Sequence, residues 1–213
     1  MSPERELTGP YSKPTSGGIA KNAVIMLHGY GSDGNDLIQL APYFAKEMPN
    51  TAFFSPHAPD LTLHGIGRQW FNIDNYRPEI INDDKSEVLE LLSNMHEGAK
   101  RSSSLLKIYL NTIKLEHNLD YRNIAIMGFS QGTMMAVNVG LTHDEMIGGI
   151  VGFSGALIGQ NEIVKNIQSP PPIVLIHGKE DDLVPAKASS HMYETLKEIN
   201  VDINLHLIDN LGH

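Results

Sequence analysis

Six short apolar runs constrain the fold more than any other feature of this sequence. They are "NAVIMLHG", "TAFFSP", "RNIAIMGFS", "IGGIVGFSG", "PPIVLIHG" and "DINLHLID". Their hydrophobicity is near-continuous rather than alternating, which marks strands covered on both faces. Between them lie segments with helical character: about Asp36 to Glu47, a long stretch from Asp83 or Asp84, "QGTMMAVNVGL", and "PAKASSHMYETLKEI". In the long stretch Val88, Leu91, Leu92, Met95, Leu105, Ile108 and Ile113 keep helical spacing, with a weak point at Gly98. Strand and helix in alternation predict an α/β fold, a mostly parallel central sheet with helices on both faces. No repeat, linker or low-complexity tract interrupts the pattern, so residues 1–213 are read as one domain. The stretch from Ser55 to about Asn82 shows no period and is read as a long loop. The N-terminal residues are read as a loose lead-in with one short strand.

Composition narrows the partners. The net charge is −9, and Lys and Arg form no block. Phosphate backbones and anionic membranes call for clustered cations, so no nucleic-acid partner and no cationic membrane anchor are expected. The chain has no cysteine, which removes disulfides, thiolate zinc sites and a Cys nucleophile. No run reaches the roughly 18 to 20 apolar residues of a membrane span, and the first residues lack the apolar core of a secretory signal. A cytoplasmic location is the expectation. A homodimer is compatible with the sequence.

The sharpest chemical signal is Gly128-Phe129-Ser130-Gln131-Gly132, a G-x-S-x-G between a predicted strand and a predicted helix. That is the context of a nucleophile elbow, in which a strained turn pushes the Ser hydroxyl out of the sheet. Glycines are needed where the following helix packs close beneath the turn. A Ser nucleophile needs a base, and the base needs an orienting acid. The chain supplies both in the order acid then His. "KEDDLVP" follows a strand and offers Glu180, Asp181 and Asp182, while "DNLGH" follows the last strand and ends in His213. Both segments fall on the C-terminal rim of the sheet, with Ser130. His206 lies within a strand and His191 on a helix, so surface or core roles are expected for them. His177, where its strand ends, reads as structural. Met134 and Met135 read as core filling.

A second glycine pattern competes for attention. Gly29, Gly31 and Gly34 spell G-x-G-x-x-G after a strand, as in a dinucleotide site. Such a site also wants an acid about 20 residues later, for the ribose hydroxyls. The run there is "TAFFSPH", with no acid before Asp60. The better reading is the second half of an oxyanion hole, with the backbone N–H of Tyr30 joining that of Gln131. Acting through backbone groups, these two residues are expected to need little from their side chains.

The sequence resembles the phospholipase/carboxylesterase family of α/β-hydrolases, which includes the acyl-protein thioesterases. The resemblance rests on "LHGYGSDGND", "SPHAPD", "GRQWF", "GFSQG", "HGKEDDLVP" and the closing "GH", over nearly the whole chain. It implies an α/β-hydrolase fold and a Ser130, Asp181, His213 triad with Tyr30 and Gln131 as oxyanion donors. It implies no metal or organic cofactor, and carboxylic esters as substrates. Acyl-protein thioesters and lysophospholipids are the enzymatic alternatives. A hydrolase-fold binding protein with a disabled triad is the rival from another class. Trp70, beside Phe71 on a family motif, either walls an acyl pocket or anchors its loop on the core. Leu183 falls where similar proteins face the acyl group. Similar proteins continue past the histidine into another helix, which is expected to be absent from these 213 residues.

Overall fold

Sequence alternation becomes spatial layering in a computed structural model that describes residues 6–63, 65–73 and 85–213. The main sheet contains β1 (Tyr11–Ser12), β2 (Asn22–Leu27), β3 (Thr51–Phe54), β6 (Ile124–Phe129), β7 (Gly149–Phe153), β8 (Ile173–Gly178) and β9 (Ile203–Ile208). Its order is β1-β3-β2-β6-β7-β8-β9. Only β1 is antiparallel to its neighbour. All six apolar runs therefore form strands, and the N-terminal lead-in supplies the short edge strand.

Alternate side chains sort the sheet into two faces. Ile25 and Leu27 of β2, Ile124 and Ile126 of β6 and Leu175 of β8 share the larger core cluster. Over them pack α3 (Lys85–Glu116), α4 (Gln131–Leu141) and α6 (Lys187–Glu198). Met26, Phe53 and Met127 point the other way, against Ala41 and Ala45 of α2 (Ala41–Ala45). Every residue of α4 is buried, Met134 and Met135 included. A helix buried all round, with its few polar side chains buried too, belongs in the middle of the molecule.

Three local readings need correction. The helix expected from about Asp36 to Glu47 is broken into α1 (Gly34–Leu37), a 3₁₀ turn (Ile38–Leu40) and α2. Pro42 lies in the first turn of α2, where its missing N–H and its ring are tolerated, as they would not be inside one long helix. The weak point at Gly98 is not a break. α3 runs through it, because a Cβ there would lie 3.3 Å from Phe71 Cβ and the missing side chain makes room for that loop. The predicted long loop holds a two-stranded antiparallel ribbon, β4 (Asp60–Leu61) with β5 (Arg68–Gln69). Strands of two residues are too short to show a period. Residue 64 and residues 74–84, which take in the end of that loop and the predicted start of α3, fall outside the described residues. A short helix, α5 (Gln160–Lys165), follows β7. Among the described residues no helix is long and apolar enough to cross a membrane.

α3 is held by its apolar face, and Leu110 on that face is fully buried. Leu110→Ala is expected to lower unfolding free energy by about 2–5 kcal/mol, the cost of an unfilled core cavity. Urea denaturation should show a lower midpoint at an unchanged slope.

Candidate active site

β2 and β6 are neighbours, with Leu27 opposite Gly128. From β2 the chain goes on to β3 on one side, and from β6 to β7 on the other. Loops leaving two such strands diverge and open a crevice at their C-terminal ends. The Gly29 loop and the Ser130 turn both lie there.

Ser130 has φ 54° and ψ −116°, a strained conformation for a residue with a side chain. Its backbone N–H donates to Phe153 O at 2.8 Å, and its carbonyl accepts from Thr133 N at 2.9 Å. Both flanking glycines are sterically required. A Cβ on Gly132 would overlap Leu27 O, and one on Gly128 would overlap Gly132 O. A Cβ on Gly29 would stand 3.4 Å from Ser130 Cβ. The Ser130 turn and the Gly29 loop thus touch.

Of the three carboxylates in "EDD", one turns inward. Asp181 Oδ1 accepts the N–H groups of Leu183 (3.0 Å) and Val184 (2.8 Å). Its Oδ2 meets His213 Nδ1 at 2.8 Å. Glu180 instead accepts from Leu211 N at 2.9 Å, and Asp182 is exposed. Burial opposes the charge on Asp181. The hydrogen bond from His213, the Val184 N–H, the His213 charge and the Ser154 hydroxyl outweigh it and hold the carboxyl below its usual pKa. The His213 side chain is only 16% exposed and its ring lies 4.9 Å from that of Phe129, the residue before Ser130. Gly178 lets this segment close, since a Cβ there would overlap Leu211 O.

His177 is buried, as expected of a structural residue, but it also reaches the acid. Its Nε2 lies 2.7 Å from Val184 O and 3.1 Å from Asp181 Oδ2, while Nδ1 faces Ser189 Oγ at 2.7 Å. Ser154, at φ 50°, was not singled out by sequence. Its place at the end of a predicted strand, on the same rim as Ser130, is the signal that could have found it. His191 pairs with Gln160 at the surface, and His206 is exposed on β9.

In the opening loop the three glycines do three different things. Gly29 abuts the Ser130 turn. Gly31 has φ +78°. Gly34 lets the start of α1 approach Ser55 O, and its N–H donates to His57 Nδ1 at 3.1 Å. The start of α1 is capped by the Asp33 carboxylate, which accepts from Asn35 N and Asp36 N. A protein carboxylate thus holds the place where a pyrophosphate would bind.

Trp70 is 1% exposed. Its indole N–H donates to His28 O at 2.9 Å, and its carbonyl accepts from Ser102 Oγ. This is the anchoring arrangement, with the ring inside the core rather than open to an acyl chain. The expectation that the Gln131 side chain matters little also changes. It is 2% exposed, its Oε1 accepts Trp70 N at 2.8 Å, and its Nε2 donates to Phe71 O at 2.7 Å. Leu183 is 52% exposed, just past the inward-turned acid. Among the described residues no group of three or more His, Cys, Asp or Glu side chains is placed to hold a metal ion.

Known proteins share this arrangement of sequence and fold. The profile of the phospholipase/carboxylesterase family matches residues 15–213. Acyl-protein thioesterase 1 of Gibberella zeae is 27% identical over 203 residues, 89% of this chain and 82% of its own. Carboxylesterase SOBER1 of Arabidopsis thaliana is 25% identical, over 92% of this chain and 84% of its own. The crystal structure of esterase PE8 superposes with a TM-score of 0.87 at 34% identity, over 98% of this chain and 92% of that one. The chain belongs to the phospholipase/carboxylesterase family of α/β-hydrolases, enzymes of the esterase and thioesterase kind.

Proposed function

We propose that this chain works as one α/β-hydrolase domain that cleaves carboxylic esters through Ser130, His213 and Asp181. The observation that carries the reading is the 2.8 Å contact of His213 Nδ1 with a buried Asp181, beside a strained Ser130. Asp181, as acceptor, keeps the proton on Nδ1 and leaves Nε2 free to act as base. Ser130 Oγ attacks the acyl carbon as its proton passes to Nε2. The oxyanion that forms is met by the N–H groups of Tyr30 and Gln131. His213 returns the proton to the leaving alcohol, and the acyl-enzyme forms. Water, activated by the same ring, then adds to the acyl carbon and releases the acid and Ser130. The Ser130–His213 contact that the mechanism needs is of the kind that tightens in the substrate complex.

A thioester substrate is the second reading, favoured by the relatives named acyl-protein thioesterase 1. The chemistry differs only in the leaving group. p-Nitrophenyl esters of graded length, run beside an acyl thioester and a lysophospholipid, rank the classes by kcat/KM.

Ser130→Ala is expected to lower kcat by about 10⁶, leaving the residual rate that binding and an oxyanion hole provide. Retention of more than about a tenth of wild-type turnover, far outside that scale, refutes the assignment. Asp181→Asn should be severely impaired, because an amide favours the wrong His tautomer. Asp182→Asn should stay within about twofold, as an exposed carboxylate does. Equal losses in the two variants would remove Asp181 from the triad.

The lowered pKa of Asp181 carries a stability signature of definite sign. Its contribution is fully present above the unfolded carboxyl pKa, about 3.9, and is lost as pH falls through the lower folded value. The margin of the wild type over Asp181→Asn should therefore be larger at about pH 5 than below the carboxyl pKa values, shrinking as the carboxylate protonates. Urea unfolding at a series of pH values reads it, and a margin that grows in acid contradicts the charge pairing.

Leu183 is assigned to the acyl chain. Leu183→Ala should raise KM for p-nitrophenyl octanoate by up to about tenfold, the scale of one aliphatic side chain. KM for the acetate should hold. Equal changes for both esters would remove Leu183 from acyl contact.

A further inference from the structure

The peptide unit between Gly29 and Tyr30 has two polar edges. One is the Tyr30 N–H of the proposed oxyanion hole. The other is the Gly29 carbonyl, and His28 Nδ1 lies 2.8 Å from it. The opposite ring nitrogen, Nε2, lies 3.0 Å from the backbone N of Ala58. A backbone N–H can only donate, so Nε2 accepts and carries no proton. The neutral ring then holds its proton on Nδ1 and donates it to Gly29 O. The same carbonyl accepts a second, longer hydrogen bond from Ser32 N, at 3.4 Å.

The surroundings fix this state. His28 is 1% exposed, and its ring lies 5.4 Å from that of Trp70. Burial lowers the ring's pKa. The Gly29 carbonyl and Asp33 oppose that shift, and His57 and Arg68 add to it. In a trans peptide the C=O and N–H point in opposite directions, so a donor that fixes one edge fixes the other. A hydrogen bond accepted at the carbonyl also strengthens the N–H as a donor.

We propose that His28 is a positioning residue of the oxyanion hole: its Nδ1–H orients and polarises the Gly29–Tyr30 peptide so that the Tyr30 N–H faces the reacting carbonyl. This rests on the triad and oxyanion reading above. The ring acts through the peptide and does not touch substrate. The competing role is purely structural, a tie between the end of β2 and the Ala58 segment.

Two substitutions separate the two edges of the ring. Asn places an amide nitrogen where Nδ1 stands and offers nothing to Ala58. Gln reaches the position of Nε2, can accept from Ala58 N, and leaves Gly29 O with only the longer hydrogen bond from Ser32 N. With p-nitrophenyl acetate, His28→Gln should lose about tenfold to a hundredfold in kcat, less than the roughly 10² to 10³ of a deleted oxyanion donor. KM should stay within about twofold, since the effect belongs to the transition state. Affinity for a trifluoromethyl ketone, whose adduct with Ser130 carries the oxyanion, should fall by the same factor. His28→Asn should recover much of that kcat while having the lower Tm of the two.

A wild-type kcat in folded His28→Gln overturns the proposal, as does a kcat order of the two variants that follows their Tm order. Long-range ¹⁵N NMR of the wild-type imidazole tests it without any substitution. The proposal expects a proton on Nδ1, and an Nε2–H tautomer overturns it. Ser130→Ala, assayed alongside, keeps two failures apart. Turnover surviving there overturns the underlying reading and this proposal with it. Turnover lost there but unchanged in His28→Gln overturns the role of His28 alone.

Discussion

The site depends on one close approach between backbones, that of the first turn of α4 to the end of β2. Leu27 O occupies the space where a side chain at residue 132 would begin. This contact seats the nucleophile helix on the sheet and carries Ser130 against Gly29. The strained φ of Ser130 follows, because the chain must turn from strand to helix with no room beneath it. The rest of the fold holds that turn in place. α4 is buried along its whole length, and α3 and the sheet close over it. The unfavourable torsion is offset by packing spread over many residues, most of which bear no chemistry.

A second constraint is the charge buried on Asp181. A carboxylate removed from water must be met by donors. Here they converge from separate parts of the chain: two backbone N–H groups just after it, the Ser154 hydroxyl just past β7, and the imidazole of His213. The same donors that make the charge tolerable fix which oxygen faces His213.

The sequence made the strands legible because continuous apolar runs bounded by turn residues have few other uses. The Ser130 turn was legible because its glycine spacing reflects a steric requirement that the structure shows directly. Other features were hidden for physical reasons. Glu180, Asp181 and Asp182 are adjacent carboxylates: spacing left all three open, the family resemblance pointed to Asp181, and the fold of the 181–184 turn is what faces one of them inward. Trp70 was ambiguous between wall and anchor, since both need a large ring in a loop. The acceptor for its indole N–H, His28 O, is 42 residues away. The β4–β5 ribbon escaped because two residues hold no periodicity. The split of the segment after Gly34 was written in Pro42, whose effect on a helix depends on where that helix begins.

Gln131 joins the site to the loop beside it. Its backbone opens α4 next to Ser130, and its side chain accepts from one loop residue and donates to the next. Among the twenty side chains, Asn carries the same two groups but is one methylene shorter, and Glu has the length but no donor when ionised. His carries both functions on a rigid ring that cannot aim them at two consecutive peptide groups in this way. This position is therefore closed to gradual change. Residue 131 and the 70–71 loop form one mechanical unit, in which a shift of the loop pulls directly on the first turn of the helix that follows Ser130.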